Sequence, residues 1–213
     1  MSDHRVRDLR DPDSPSARKS IRAAAEFIRS GGVVVLPTRC LYGLGAAALD
    51  PAAVERVFEI KQRPKDKPIL VLVHQMSDVA RFVRRIPSRA RRIMEQFWPG
   101  GVTLVFEAAP GVSPLLTAGT GRIGIRLCSP PVSRALVKAA GAPLTGTSAN
   151  LAGRPACADI FHLDPHIAAA VDCILDAGPL AGGVGSTVVD VTGEHLRILR
   201  DGVIPADRIL AIT

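Results

Sequence analysis

The chain has 213 residues, 47% of them hydrophobic and 22% charged, which is typical of a globular protein with one large domain or two small ones. This composition excludes disorder, collagen-like repeats and coiled coil for the chain as a whole. The formal net charge of +7 favours an anionic partner such as a nucleotide or RNA, although a solvated basic surface would have the same charge. Because no apolar run could span a bilayer and the N-terminus lacks a signal-peptide core, we expect a cytoplasmic protein with no membrane partner.

The first part of the chain is predicted to be a polar arm followed by a helix. Residues 1–15 are polar and contain two prolines, so we expect a loose arm there. Ser14 or Ser16 then caps a helix that ends at Gly31. Apolar residues recur at helical spacing in four later segments. These helices are predicted over 51–61, from 77, from 88 to Pro99, and over 131–140.

Short apolar runs bounded by turn residues predict the strands. They are expected over 33–36, 69–73, 102–106, 122–127, just after Pro143, and over 173–175, 187–191 and 196–200. The last two are joined around Gly193 as a hairpin. The interleaving of helices and strands predicts an α/β fold, a twisted open mixed sheet flanked by helices, formed by one domain over 16–213.

Two segments beside these strands combine glycine or proline with polar residues. Residues 37–45 follow a strand, and their glycines would let backbone N–H groups approach a ligand, although an ordinary strand-to-helix loop would look the same. Residues 61–68 carry four cations between a helix and a buried strand, in a loop that two prolines stiffen. This arrangement suits a polyphosphate but also describes a solvated charge run.

Two later segments are rich in small hydrogen-bonding residues. Residues 145–150 lie at the end of a strand and suit a sugar hydroxyl, a phosphate oxygen or a base edge, or else form a simple turn. Residues 182–187 form a glycine-rich approach to a strand, with Arg200 on the neighbouring strand. The four cysteines lack metal-ligand spacing, and Pro165 between His162 and His166 argues against a shared helix face, so no metal site is predicted.

Taken in order, these segments resemble the YrdC-like family of threonylcarbamoyl-AMP synthases. The resemblance extends from about residue 21 to 204 and is most specific where a Lys-x-Arg pair is followed by Ser-x-Asn. The motifs that carry it are Pro37-Thr38, Tyr42-Gly43-Leu44-Gly45, Lys61-x-Arg63-Pro64, Trp98-Pro99-Gly100, Ser148-x-Asn150, Gly153-Arg154-Pro155 and Ser186-Thr187-Val188-Val189-Asp190.

The resemblance implies a fold, a reaction and partners. The fold would be the family's open sheet with a concave, basic cavity. The reaction would convert L-threonine, bicarbonate or CO2, and ATP, accompanied by Mg²⁺, into threonylcarbamoyl-AMP and pyrophosphate. The product would pass to a downstream threonylcarbamoyl transferase complex that forms N6-threonylcarbamoyladenosine in tRNA, and contact with tRNA or double-stranded RNA is a further implied possibility.

The resemblance also assigns roles to individual residues. Lys61 and Arg63 would be the catalytic pair, because charge stabilisation is what attack on a phosphorus atom needs. The ATP side would comprise Lys61, Arg63, Lys67, Arg122, Ser148, Asn150 and Arg200. The threonine side would comprise Thr38, Cys40, Tyr42, Arg126 and Ser186, with Arg126 paired to the carboxylate.

One motif departs from the family pattern, and two alternatives stay open. The family usually has an acid and a threonine where this chain has Arg39 and Cys40, and a thiol is the weaker hydrogen-bonding group. A paralogue that uses another amino acid is therefore one alternative. The other is a binding module of the same fold that holds RNA without catalysis.

Overall fold

The computed structural model describes residues 5–212, and the strands of that range form one ten-stranded sheet. The strands are β1 (Val6–Asp8), β2 (Val34–Pro37), β3 (Tyr42–Gly45), β4 (Leu70–Val73), β5 (Val102–Glu107), β6 (Arg122–Leu127), β7 (Leu144–Ser148), β8 (Cys173–Asp176), β9 (Thr187–Asp190) and β10 (Arg197–Arg200). Their order across the sheet is β1-β8-β2-β3-β7-β4-β6-β5-β9-β10, with parallel and antiparallel neighbours mixed. The predicted mixed sheet and the β9–β10 hairpin are confirmed.

The helices begin where the sequence supplies a capping side chain or a proline. Ser14 accepts a hydrogen bond from the backbone N–H of Ala17, and Asp50 accepts one from Ala52. None of the helices within 5–212 is long and apolar enough to cross a membrane. They are α1 (Pro15–Arg29), α2 (Pro51–Lys61), α3 (Ser88–Phe97), α4 (Pro114–Thr117), α5 (Pro131–Ala140), α6 (Pro165–Ala170) and α7 (Ala206–Leu210), with 3-10 turns at Met76–Arg81 and Ile160–His162.

The expectation of a loose arm over residues 1–15 is wrong for the part that the structure describes. Strand β1 pairs in parallel with β8 at the edge of the sheet. Leu9 follows it and is 1% exposed, and its N–H donates to the carbonyl of Asp176 at 2.6 Å. Val6 and Leu9, the apolar residues on either side of the polar Arg7 and Asp8, pack against the rest of the protein and hold this segment in place. Residues 1–4 of the predicted arm lie outside the described residues.

The alternative that 37–45 is an ordinary strand-to-helix loop is also wrong, because Tyr42–Gly45 is a strand inside the sheet. Its glycines serve strand packing. A Cβ at Gly43 would lie 2.9 Å from the carbonyl oxygen of Thr147, and one at Gly45 would lie 2.8 Å from the side chain of Leu36. Because glycine is depleted in strands, the residue pattern of 42–45 does not predict strand β3.

Helices cover only part of one face of the sheet. On that face Val34, Leu36, Leu72 and Leu144 pack in a buried cluster with α1 and α5. In β6, which lies nearer the β10 edge of the sheet, buried and less buried residues alternate. One side of this strand is therefore only partly covered by residues 5–212. This uncovered part, here called the open face, has a floor of partly buried residues: Leu70, Val105, Gly124, Arg126 and Val188.

Candidate active site

The Lys-x-Arg and Ser-x-Asn motifs meet at the end of β7. Lys61, the last residue of α2, is 1% exposed, and its Nζ donates to the carbonyls of Ser148 at 2.5 Å and Asn150 at 2.7 Å. Burial, with a smaller contribution from the neighbouring charge of Arg63, lowers the pKa of Lys61 to about 8. An ammonium group has three N–H donors, so two hold the end of β7 and one is left for another acceptor.

Asn150 has a fixed orientation and one unused acceptor. Its Nδ2 donates to the carbonyls of Leu151 at 2.7 Å and Arg154 at 2.6 Å. Its Oδ1 is buried and has no hydrogen-bond partner among residues 5–212. Buried acceptors are almost always paired, so this oxygen is ready for a donor from a ligand.

Arg63 closes the proline-rich loop. Its Nε donates to the carbonyl of Lys67 at 3.3 Å and its Nη2 to that of Pro68 at 3.0 Å. Burial lowers the pKa of Arg63, and Asp66 opposes that shift. Lys65 forms an ion pair with Glu55 instead of facing the loop interior. Of the four predicted cations, Lys65 is thus already neutralised, while Lys67 is exposed.

Arg126 differs from Lys61, Arg63 and Lys65 because its side chain has no hydrogen-bond or ion-pair partner among residues 5–212. It points from β6 onto the open face. Burial lowers its pKa, the charges of Arg200 and Arg39 lower it too, and Cys128 and Cys40 act in the opposite direction. It borders a pocket, partly open to solvent, that is lined by Thr38, Arg39, Leu72, Arg126, Cys128, Ser129, Pro130 and Ser133.

Ser186 and Arg200 are in direct contact, although the family resemblance assigns them to different substrates. The Arg200 guanidinium donates to the carbonyl of Ser186 at 2.7 Å and lies 3.2 Å from its hydroxyl oxygen. The same hydroxyl is 2.7 Å from that of Thr103, and Ser186 is 2% exposed. Arg200 therefore ties β10 to the start of β9 at the border of the open face.

Cys40 links the first candidate segment to the glycine-rich one. Its thiol donates to the carbonyl of Val184 at 3.3 Å, and the N–H of Gly182 donates to the carbonyl of Cys40 at 2.9 Å. The nearby hydroxyl of Thr38, a pocket residue, donates to the carbonyl of Leu41 at 2.6 Å. The two loops thus close against each other beside Arg126.

Two predicted site residues are engaged elsewhere. Tyr42 is fully buried, and its hydroxyl donates to the carbonyl of Gly178 at 2.7 Å while accepting from the N–H of Ala177 at 3.0 Å. Burial raises the pKa of this phenol. Arg122 forms an ion pair with Asp190 at 2.9 Å on the open face, and half of its side chain is exposed. Tyr42 therefore supports β3 from the core, and Arg122 has a carboxylate partner already.

Sequence reasoning missed several residues of the site. Cys128 and Ser129 directly follow β6 and line the pocket, and polar residues at the end of a buried strand are a signal that could have found them. Thr103 is a polar residue at a buried strand position, which is a similar signal. Ser133 lies on α5, where nothing in the local pattern marks it.

The fold and these residues define an α/β protein with a cluster of cationic and hydroxyl side chains on an incompletely covered sheet. Residues 26–202 match the family model named for Sua5, YciO and YrdC and described as telomere recombination. The chain belongs to this Sua5/YciO/YrdC family, which confirms the resemblance inferred from the motifs.

Similar proteins include several threonylcarbamoyl-AMP synthases. That of Pyrococcus abyssi is 35% identical over 189 residues, which are 89% of this chain and 56% of that protein. That of Stenotrophomonas maltophilia is 34% identical over 159 residues, 74% of this chain and 86% of that protein. The chain spans about half the length of the relatives from P. abyssi and Bacillus subtilis, 56% in each case.

Solved structures show the same fold. P. abyssi Sua5 complexed with L-threonine has a TM-score of 0.92 at 33% identity, covering 97% of this chain and 60% of that one. Escherichia coli YciO has a TM-score of 0.84 at 30% identity, covering 99% of this chain and all of that one. The twisted open sheet predicted from the sequence is therefore the family's fold.

Proposed function

We propose that this chain synthesises threonylcarbamoyl-AMP from L-threonine, bicarbonate or CO2, and ATP, with release of pyrophosphate. The observation that carries the proposal is the meeting of Lys61, Arg63 and Asn150 at one border of the open face, with the partnerless Arg126 on its floor. Cations that keep unused N–H donors beside an incompletely covered sheet suit a substrate that carries several anionic groups.

The reaction needs positioning more than it needs a covalent nucleophile. The amine nitrogen of threonine forms a bond to the carbon of CO2 and loses a proton, which gives a carbamate; bicarbonate would first take up a proton and release water to give CO2. A carbamate oxygen then attacks the α-phosphorus of ATP, and the bond from that phosphorus to the bridging oxygen breaks, so pyrophosphate leaves. Holding the reactants together and stabilising charge on the phosphates supply the rate enhancement.

The nucleotide side would be the Lys61 border of the open face. The remaining N–H of Lys61, the outer donors of Arg63 and the exposed Lys67 would bind phosphate oxygens. Ser148 would donate its hydroxyl, and the unused Oδ1 of Asn150 would accept from a ribose hydroxyl or an amine. Arg200 and Arg122 would extend this cationic border, Arg122 while keeping its Asp190 partner.

The amino-acid side would be the pocket around Arg126. A guanidinium with free donors matches a carboxylate in a bidentate geometry, and Thr38 lines the same pocket. Cys40 and Ser186 would act by holding the surrounding loops, and Tyr42 by supporting β3 from behind. The related P. abyssi Sua5 has been solved as a complex with L-threonine, which supports this substrate.

Magnesium would enter the site already bound to ATP. The residues of the candidate site are cations, hydroxyls and an amide, which fit phosphate oxygens, so the nucleotide itself would supply the oxygen ligands that Mg²⁺ prefers. The product would serve a transferase complex that forms N6-threonylcarbamoyladenosine in tRNA, and the protein would act in the cytoplasm. The cavity that holds these substrates would be concave and basic, as the family resemblance implies.

The test is pyrophosphate release by the purified protein with ATP, Mg²⁺, bicarbonate and each amino acid in turn. We expect release that requires threonine and bicarbonate together. Release with a different amino acid would identify a paralogue, and the absence of release beside measurable RNA binding would identify a binding module. Arg63→Ala should abolish release with the fold intact, because the side chain closes a surface loop, and substantial residual activity would contradict the role given to Arg63.

A further inference from the structure

The pocket around Arg126 contains a second arginine, Arg39, which lies in the turn between β2 and β3. Both arginines line the pocket, and none of the residues assigned above to the nucleotide side does. Arg39 is exposed, and its side chain has no hydrogen-bond or ion-pair partner among residues 5–212. Its charge acts on Arg126, whose pKa it helps to lower. The pocket therefore has one cation more than a single amino-acid carboxylate requires.

The protein itself does not neutralise these two arginines. No aspartate or glutamate of the described range 5–212 lines the pocket. The ionisable groups that act on the Arg126 guanidinium are two thiols and the guanidinium groups of Arg200 and Arg39, with no carboxylate among them. An α-carboxylate bound to Arg126 would balance one charge, and Arg200 is assigned to the nucleotide. Arg39 is left for a second anionic group.

The hydroxyl and thiol donors of the pocket are mostly in use, so a neutral polar side chain would find few partners there. The Thr38 and Ser133 hydroxyls donate to backbone carbonyls, and so does the neighbouring Cys40 thiol. The Ser129 hydroxyl makes no hydrogen bond with residues 5–212. The donors that remain belong to this hydroxyl and to the two guanidinium groups, which pair best with carboxylate oxygens.

Helix α5 begins at the same pocket and adds to its positive potential. The helix has ten residues, and Pro130 and Ser133 at its start line the pocket. No side chain accepts a hydrogen bond from its first turn. The free N–H groups and the positive end of the helix dipole stabilise an anion at this position. The helix thus supports the direction of charge that Arg39 and Arg126 set.

We propose that Arg39 and Arg126 together bind an amino acid with two carboxylates, aspartate or glutamate, which the protein uses in addition to threonine. Arg126 would hold the α-carboxylate, and Arg39 would hold the carboxylate of the side chain. The inference rests on the proposed function, because the amine would react as that of threonine does. Its nitrogen bonds to the carbon of CO2 and loses a proton, and a carbamate oxygen displaces pyrophosphate from the α-phosphorus.

The test compares the binding of aspartate and asparagine, which have the same size and differ in side-chain charge, by calorimetry without ATP. The wild type should bind aspartate at least about tenfold more tightly than asparagine. Arg39→Gln should lose this preference. The matched control, Arg134→Gln, removes an exposed charge from α5 outside the pocket and should keep it. Glutamate and glutamine, compared in the same way, show which side-chain length spans the two guanidinium groups.

Pyrophosphate release with aspartate, bicarbonate and ATP then tests whether the bound amino acid reacts. Equal affinity for aspartate and asparagine, or an equal loss of preference in both variants, would overturn the proposal. An Arg39→Gln protein whose only change is a raised KM for bicarbonate would do the same.

The two measurements also separate this inference from the proposed function. Release with threonine but not with aspartate would uphold the proposed function and overturn the use of a second carboxylate. Binding of aspartate that depends on Arg39, without release from any amino acid, would contradict the proposed function and support the two-carboxylate site.

Discussion

Lys61 and Arg126 are both cations whose pKa is lowered by burial, but the fold treats them in opposite ways. Lys61 donates to two backbone carbonyls at 2.5 and 2.7 Å, so most of its hydrogen-bonding capacity serves the protein. Arg126 donates to no residue within 5–212. A buried charge without a partner costs stability, and such a cost marks a group that is kept for a ligand. Lys61 thus holds the end of β7 in place, whereas Arg126 keeps its donors available for the carboxylate that we propose it binds.

The largest effect should follow from replacing Lys61, whose ammonium group holds the end of β7. Lys61→Met leaves the carbonyls of Ser148 and Asn150 without their donor, which should lower the free energy of unfolding by about 2–4 kcal/mol and abolish pyrophosphate release. Urea denaturation measures the first quantity. The control is the exposed Lys67, whose change to Met should alter stability by less than about 0.5 kcal/mol. A stable Lys61→Met protein with only a raised KM for ATP would mean that Lys61 binds phosphate and does not anchor β7.

Arg126→Met should not destabilise the protein, in contrast to Lys61→Met. Removing a partly buried guanidinium without a partner should leave the free energy of unfolding unchanged or raise it by about 1 kcal/mol. The same change should lower kcat/KM for the amino acid by about 100-fold, equivalent to about 2.7 kcal/mol of lost binding to a carboxylate. Steady-state kinetics with threonine varied gives this value.

The control for Arg126 keeps the charge and changes its shape. Arg126→Lys should recover part of the lost kcat/KM, because a point charge still attracts a carboxylate but cannot form the two-pronged contact. A strongly destabilised Arg126→Met protein would show that the guanidinium is structural, and the contrast with Lys61 would then fail.

A smaller effect is expected from pH. The pKa of Lys61 falls from 10.5 to about 8 on folding, so between these values the unfolded chain holds a proton that the folded chain has released. The contribution of Lys61 to stability should therefore rise with pH across this window, by up to about 3 kcal/mol, and fall again as the pH drops to 8. Other groups titrate there too, and burial raises the pKa of Cys128 to about 11.

The difference between the wild type and Lys61→Met isolates this contribution, because the other titrating groups are common to both proteins. The quantity to measure is the difference in free energy of unfolding from pH 7 to 10. A difference that does not change with pH would mean that the Lys61 ammonium titrates near its ordinary pKa in the folded protein.

The motifs predicted which segments meet but not how they do so. Lys61 and Asn150 belong to motifs that the family resemblance assigns to one site, and the structure brings them into contact. The contact itself runs from an ammonium to backbone carbonyls, and every residue has a carbonyl, so the sequence has no signal for it. Likewise, the absence of a partner for Arg126 depends on what lies across the sheet and not on its neighbours in the chain.

The fold was predictable where periodicity is strong and not where tertiary contacts override it. The capped α2 and the alternating β6 follow directly from their residue patterns. Strand β3 consists of Tyr42–Gly45, whose glycines suggest a loop but are required by the close approach of Leu36 and Thr147. Strand β1 is three residues long and is held by pairing with β8, which lies far away in sequence.

The smallest effect should come from Cys40, where this chain departs from the family pattern. The thiol donates to the carbonyl of Val184 at 3.3 Å and is 5% exposed. In Cys40→Thr a hydroxyl would make the stronger hydrogen bond, hold the glycine-rich loop against the pocket, and lower the KM for threonine by less than about tenfold. Cys40→Ala removes the donor and should raise the KM instead. An unchanged KM in both variants would place the selectivity for the amino acid elsewhere, on the walls formed by Leu72 and Cys128.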